Sequence, residues 1–173
     1  MNLIITCARH LETETSDEIG KILDSLGDAE PDISITDMSG ILTVQTKLDP
    51  FAVIKKIHKQ LLNEPWYVRY CLRLIPIQDT VDTEINSIGK SIECIRSKIL
   101  KEDSYRISIE KRNSDISSQE LISNIASSIP NKVALDNPDK IILIEILGGR
   151  TGVAVIQEGD ILSVEKAKRS LSE

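Results

Sequence analysis

Lys111 and Arg112 stand side by side where an alternating run of apolar and polar residues ends. Lys132 comes one helix later, and Arg150 sits in the segment Gly148-Gly149-Arg150-Thr151-Gly152. Arg73 belongs to an earlier alternating run, on the same side as Tyr67 and Arg69. Cations at the ends of elements suit the holding of phosphate oxygens. Arginine's planar fork meets a phosphate through paired hydrogen bonds, and lysine adds a compact point charge. Such contacts position a polyanion without reading its sequence. Solvated charge at strand and helix ends produces the same pattern, so the residues alone leave both readings open.

Other chemistries find no constellation. No glycine-rich turn joins a strand to a helix as a nucleotide or S-adenosylmethionine site needs, and there is no Gly-Lys-Ser/Thr phosphate loop. The paired cysteines and His-x-Glu of a zinc deaminase are missing. Gly148 to Gly152 lies between two strand patterns and reads first as a hairpin turn. His10 falls in a loop and His58 on a helix among lysines, so both read as surface residues. Cys7, Cys71 and Cys94 are odd in number and far apart, which argues for core thiols rather than a disulfide framework or zinc ligands. The carboxylates are scattered. The expectation is a protein with no catalytic residues, metal or cofactor of its own.

The chain's 173 residues suffice for one domain or two small ones. The net charge is −6 and the sequence pI about 5.1, and the parts before and after Ile77 are each acidic. A nucleic-acid partner would therefore need a local basic patch. No apolar run reaches membrane-spanning length, and Met1 to Cys7 lacks the regions of a signal peptide, which predicts a cytoplasmic protein.

The elements that must position the cations follow from periodicity. Leu3 to Cys7 reads as a strand. Thr15 with Glu18 reads as a capping box before the face Ile19, Ile22, Leu23 and Leu26, and Gly27 stops that helix. Asp32 to Asp37 and Ile41 to Thr46 read as strands. Asp49-Pro50 starts a helix on Phe51, Ile54, Ile57 and Leu61, and Trp66 to Pro76 reads as a strand. This strand, helix, strand, strand, helix, strand order is the ferredoxin-like arrangement. Gln78 to Thr80 reads as a short connection. Val81, Ile85, Ile88, Ile92, Ile95 and Ile99 predict a helix of about five turns. Tyr105, Ile107 and Ile109 alternate as a strand. Ser117 and Glu120 box the helix of Leu121, Ile125 and Ile129, and Pro130 closes it. Asn137-Pro138-Asp139 is a turn, with Asp139 free to bond its own main chain. Lys140 to Leu147 is apolar enough for a central strand, and Val153 to Gln157 is its hairpin partner. Ile161 to Glu173 reads as a weak helix or fraying tail.

Several of these features resemble a THUMP domain, the RNA-binding module of many tRNA-modifying enzymes. They are Lys111-Arg112 at a strand end, Lys132-Val133 with Leu135, Asn137-Pro138-Asp139, and Glu145 before the last hairpin. Ala134 stands where the usual motif carries an acid. Arg73-Leu74-Ile75-Pro76-Ile77 and Lys111-Arg112-Asn113 are similar to the adaptor proteins of tRNA cytidine acetylation, in which a small N-terminal domain precedes a THUMP domain. The resemblance implies an α+β protein with a ferredoxin-like domain over 1–77 and a THUMP domain over 78–173. It implies a noncatalytic adaptor that presents tRNA to a separate N4-cytidine acetyltransferase. Lys111, Arg112, Lys132, Arg150 and Arg73 would contact RNA, the first three at the tRNA acceptor end. A stand-alone tRNA-modifying enzyme and a protein-interaction module are the alternatives.

Overall fold

The computed structural model describes residues 1–173. The chain divides into two compact units, one made of Met1–Pro76 with Gly159–Glu173 and the other of Ile77–Glu158. The expected boundary after Ile77 is thus displaced by one residue. The last segment, expected to continue the second domain, packs instead with the first.

In the first unit β1 (Leu3–Cys7) leads to α1 (Glu12–Leu26), then β2 (Asp32–Ile35), β3 (Ile41–Gln45), α2 (Pro50–Asn63) and β4 (Cys71–Pro76). The strands lie in the order β2-β3-β1-β4, all antiparallel, as the ferredoxin-like pattern requires. Leu3 and Ile5 of β1, Leu42 and Val44 of β3, and Leu74 of β4 share one face. Ile19 and Leu23 of α1 and Ile54, Ile57 and Leu61 of α2 pack into the same buried core. Each such aliphatic side chain, removed from water, contributes on the order of 1.5–3 kcal/mol. Asp49 caps α2 by accepting from the Ala52 N–H, with Pro50 at the first turn.

Two local readings fail here. Thr15 does not cap α1: it lies within the helix, buried, and donates its hydroxyl to the Leu11 carbonyl at 2.6 Å. Glu18 is therefore free of the capping box and reaches a distant backbone. The predicted strand from Trp66 begins only at Cys71; before it, the Arg69 and Tyr70 N–H groups donate to the Glu18 carboxylate instead of to a neighbouring strand, and within it β1 and β4 shift register between Thr6 and Cys7. The shift is a β-bulge at Leu72 that turns Cys71 into the core and leaves Leu72 exposed.

The second unit contains β5 (Asp79–Asp82), α3 (Ile85–Ile95), β6 (Tyr105–Arg112), α4 (Ser118–Ala126), β7 (Lys140–Leu147) and β8 (Arg150–Ile156). Its sheet runs β5-β8-β7-β6. β6 and β7 are parallel, and β7 is antiparallel to β8, which is antiparallel to β5. The five-turn helix expected from Val81 is shorter. Val81 pairs with Thr151 in edge strand β5, and past Ile95 the helix tightens into a 3-10 turn over Arg96–Lys98. Ile88 and Ile92 of α3 and Leu121 and Ile125 of α4 cover Ile142, Ile144 and Ile146 of β7. The Ser117 cap is as expected, its hydroxyl accepting from the Glu120 N–H at 3.2 Å.

The closing segment forms β9 (Leu162–Ser163), which pairs with β4, and α5 (Val164–Arg169), which packs against α2. Leu162, Val164 and Ala167 complete the core of the first unit, so this stretch is not a frayed tail. No helix is long and apolar enough to cross a membrane.

Hydrogen-bonded carboxyls impose a pH dependence. The Thr46 hydroxyl and the Lys47 and Glu30 N–H groups hold the buried Asp28 carboxyl below the usual carboxylate range. The Ser104 N–H and hydroxyl do the same for Asp139, and the Gly40 N–H for Glu12. A carboxyl whose pKa is lower folded than unfolded stabilises the protein above its unfolded value, roughly 4. That contribution drains as the pH falls through the folded value. Urea midpoints are therefore expected to be flat from neutral pH to about 5 and to fall below about 4. Asp28→Asn should give a lower midpoint at pH 7 and a shallower acid decline than the parent.

Candidate nucleic-acid interface

The side chains proposed to hold phosphate are set by the pleat of the second sheet. Residues paired across strands share a face, so Arg112, Leu147, Arg150 and Asp82 form one row across β6, β7, β8 and β5. Arg112 and Arg150 are two strand spacings apart, roughly 10 Å between backbones. The row lies at the C-terminal ends of the parallel strands β6 and β7, the end at which open α/β sheets take their ligands. Between β7 and β8, Gly148 makes the tight turn with φ +60, a conformation that favours glycine. The Gly148 N–H donates to the Arg112 carbonyl at 2.8 Å, which ties the hairpin to the end of β6.

Each cation in this region has a defined setting. One arginine nitrogen of Arg112 lies 3.2 Å from Glu145 and another 3.8 Å from Glu110. The Glu145 side chain is only 2% exposed and that of Arg112 24%, so the guanidinium's first task is to neutralise a carboxylate inside the sheet. Gly152 lies opposite Glu145, and a Cβ on it would come within 2.8 Å of the Ile77 side chain. Arg150 pairs with exposed Asp82 at 2.6 Å. Exposed Lys111 points to the other face and donates to the Ile116 carbonyl at 2.9 Å. Lys111, Arg112 and Arg150 thus meet at one end of the sheet, interleaved with Glu110 and Asp82.

Lys132 does not join them. Its carbonyl accepts from the Tyr105 N–H at 2.9 Å, which places it beside the start of β6. The strand has eight residues, so its two ends are roughly 25 Å apart. Lys132 belongs to a loop fixed by side chains: the Asn131 amide donates to the Leu100 and Asp103 carbonyls, and Asp139 accepts from the Ser104 N–H and hydroxyl. Asp139 therefore holds a neighbouring turn rather than its own main chain. Val133 and Leu135 of this loop are exposed. Arg73 lies in the other unit, on β4 opposite Thr6 and Ser163.

Glu145 is the participant whose role sequence reasoning missed. Its signal was present: a lone carboxylate in the apolar run Lys140 to Leu147 must find a cation once that strand is central.

A four-stranded mixed sheet with two helices on one face and cations at its strand ends is a two-layer α/β unit. Residues 83–156, within the second unit, match the family model of the THUMP domain. No curated protein sequence matches the chain. Among solved structures it resembles the protein PH1313 from Pyrococcus horikoshii, with a TM-score of 0.71 and 16% identity over 94% of this chain and 55% of that one. TrmN from Thermus thermophilus aligns with a TM-score of 0.58 and 11% identity over 90% of this chain and 45% of that one. A 4-thiouridine synthetase, solved as an RNA complex with bound ATP, aligns with a TM-score of 0.55 and 9% identity over 94% of this chain and 42% of its own. The chain spans about half the length of these structures. At these identities the likeness concerns the fold.

Proposed function

We propose that the chain binds tRNA at the acceptor end and presents it to a separate N4-cytidine acetyltransferase, contributing orientation rather than chemistry. The observation that carries the RNA part is the THUMP domain over residues 83–156, with Lys111, Arg112 and Arg150 at one end of its sheet. A neighbour of the same fold that was solved with RNA supports it. The acetyltransferase rests on the adaptor-like residues Arg73 to Ile77 and Lys111 to Asn113. Lys111 and Arg150 would meet phosphates directly. Arg112 would offer the part of its guanidinium that Glu145 does not occupy.

A gel-shift titration with tRNA across a salt series tests the reading. Binding is expected at low salt and should weaken as salt rises, because phosphate contacts release counterions. Replacing Lys111 and Arg150 together by alanine should weaken binding and lower the salt slope by about 1.5, at roughly 0.7–0.9 per phosphate contact. Lys132→Ala measures the opposite end of the sheet separately, and an unchanged affinity there would confine the RNA to the Arg112 end. No complex at low salt, with or without the acetyltransferase, would sink the proposal. Acetylated or methylated tRNA formed by the chain alone, with acetyl-CoA or S-adenosylmethionine, would replace the adaptor by an enzyme.

A further inference from the structure

We propose that the segment before β4 and the adjoining side of α1 form a site for an unpaired nucleotide whose base carries an exocyclic amine. This rests on the RNA reading above and extends it to the first unit. The chain has one tryptophan, three tyrosines and one phenylalanine, and Trp66, Tyr67 and Tyr70 fall within this one segment. It is not a strand, yet its backbone is tied at nearly every step. The Glu18 carboxylate accepts from the N–H groups of Arg69 at 2.6 Å, Tyr70 at 3.1 Å and Cys71 at 2.9 Å. The Lys168 ammonium donates to the Val68 carbonyl at 2.6 Å, and the Tyr67 N–H to the Glu64 carbonyl at 2.9 Å. Val68 is fully buried and anchors the segment in the core. A backbone held this way is ordered before any ligand arrives, which lowers the entropy cost of binding.

Beside the segment runs an open groove of about 560 Å³, room for a nucleotide. Tyr67, Arg69 and Tyr70 line one side, and Glu14, Asp17 and Lys21 of α1 line the other. The Arg69 guanidinium lies 5.8 Å from the Tyr70 ring centre, and Trp66 on the same segment is 69% exposed. Aromatic and guanidinium faces are what unstacked RNA bases settle on. Glu14 and Asp17 repel phosphate and accept N–H groups, so the base would enter and the backbone stay outside. The amines of cytosine and adenine satisfy a carboxylate, whereas uracil brings carbonyls on both sides of its single N–H. Lys21 and Arg69 make the groove less suited to a basic peptide.

Trp66 is the only tryptophan, so its fluorescence reports on the segment directly. Titration with single-stranded oligocytidylate and oligoadenylate at low salt is expected to change the Trp66 signal, with oligouridylate several-fold weaker. Labelled-oligonucleotide anisotropy should show Trp66→Ala and Tyr70→Ala each weakening oligocytidylate about tenfold, on the scale of a lost base stack. Circular dichroism and melting should show both variants folded; the exposed position of Trp66 makes its variant the safer of the two. If the variants bind single strands and tRNA like the parent, this site is overturned while the RNA reading stands. If the parent binds neither RNA, both fall. A Trp66 response to a lysine- and arginine-rich peptide but not to oligonucleotides would make the groove a protein site, and equal binding of oligouridylate would overturn the amine preference.

Discussion

Arg112→Ala is expected to destabilise the protein by about 3 kcal/mol, because it takes the cation away from a carboxylate inside the fold. The Glu145 carboxylate, almost wholly removed from solvent, loses the guanidinium 3.2 Å away. Urea unfolding should show a lower midpoint with an unchanged slope. The double change Arg112→Met with Glu145→Leu should recover most of the loss, since replacing both members of a buried pair by apolar groups is often neutral or better. A single change within about 0.5 kcal/mol of the parent, the level of an ordinary surface substitution, would mean the pair carries no weight. Weak RNA binding by Arg112→Ala then has two causes to separate, so the comparison belongs at a temperature where both proteins are folded. Lys111 and Arg150, both set in more exposed surroundings, are cleaner reporters of phosphate contact.

Glu18→Ala is expected to cost about 2–3 kcal/mol and to loosen the segment that carries Trp66 and Tyr70. One carboxylate accepts from three consecutive backbone N–H groups, and hydrogen bonds to a charged acceptor are each worth more than neutral ones. Without it, the Arg69, Tyr70 and Cys71 amides lose their acceptor just before the β4 bulge. Hydrogen exchange should show those amides losing protection more than the amides of β1 or β3. If protection falls uniformly, Glu18 supports the whole unit rather than this segment. If the midpoint and exchange are both unchanged, the interaction is dispensable.

The legible parts of the fold were those whose cause is local. The Asp49-Pro50 and Ser117 caps act within one helical turn, and the alternation of Tyr105, Ile107 and Ile109 needs only the pleat of one strand. The misreadings came from long-range partners. Thr15 and Glu18 have capping-box spacing, yet Glu18 spends its carboxylate on Arg69, Tyr70 and Cys71, far along the chain. Val81 continues the isoleucine spacing of α3, but the edge of β8 supplies a ladder that draws it into β5. Leu72 breaks alternation because β1 imposes a register shift that only the assembled sheet contains. For the candidate interface, sequence placed Lys111 and Arg112 at a strand end. It could not tell that Lys132 would lie at the start of that same strand, because that depends on β6 and β7 being parallel.

The return of β9 and α5 to the first unit has a consequence for biosynthesis. The sheet begun by Leu3–Cys7 is finished by residues translated only after the whole of Ile77–Glu158 has emerged. The second unit can mature on the ribosome while the first still waits for Leu162, Val164 and Ala167. A nascent chain arrested before Leu162 would carry a completed second unit and an unfinished first core, a client for chaperones that recognise exposed apolar surface.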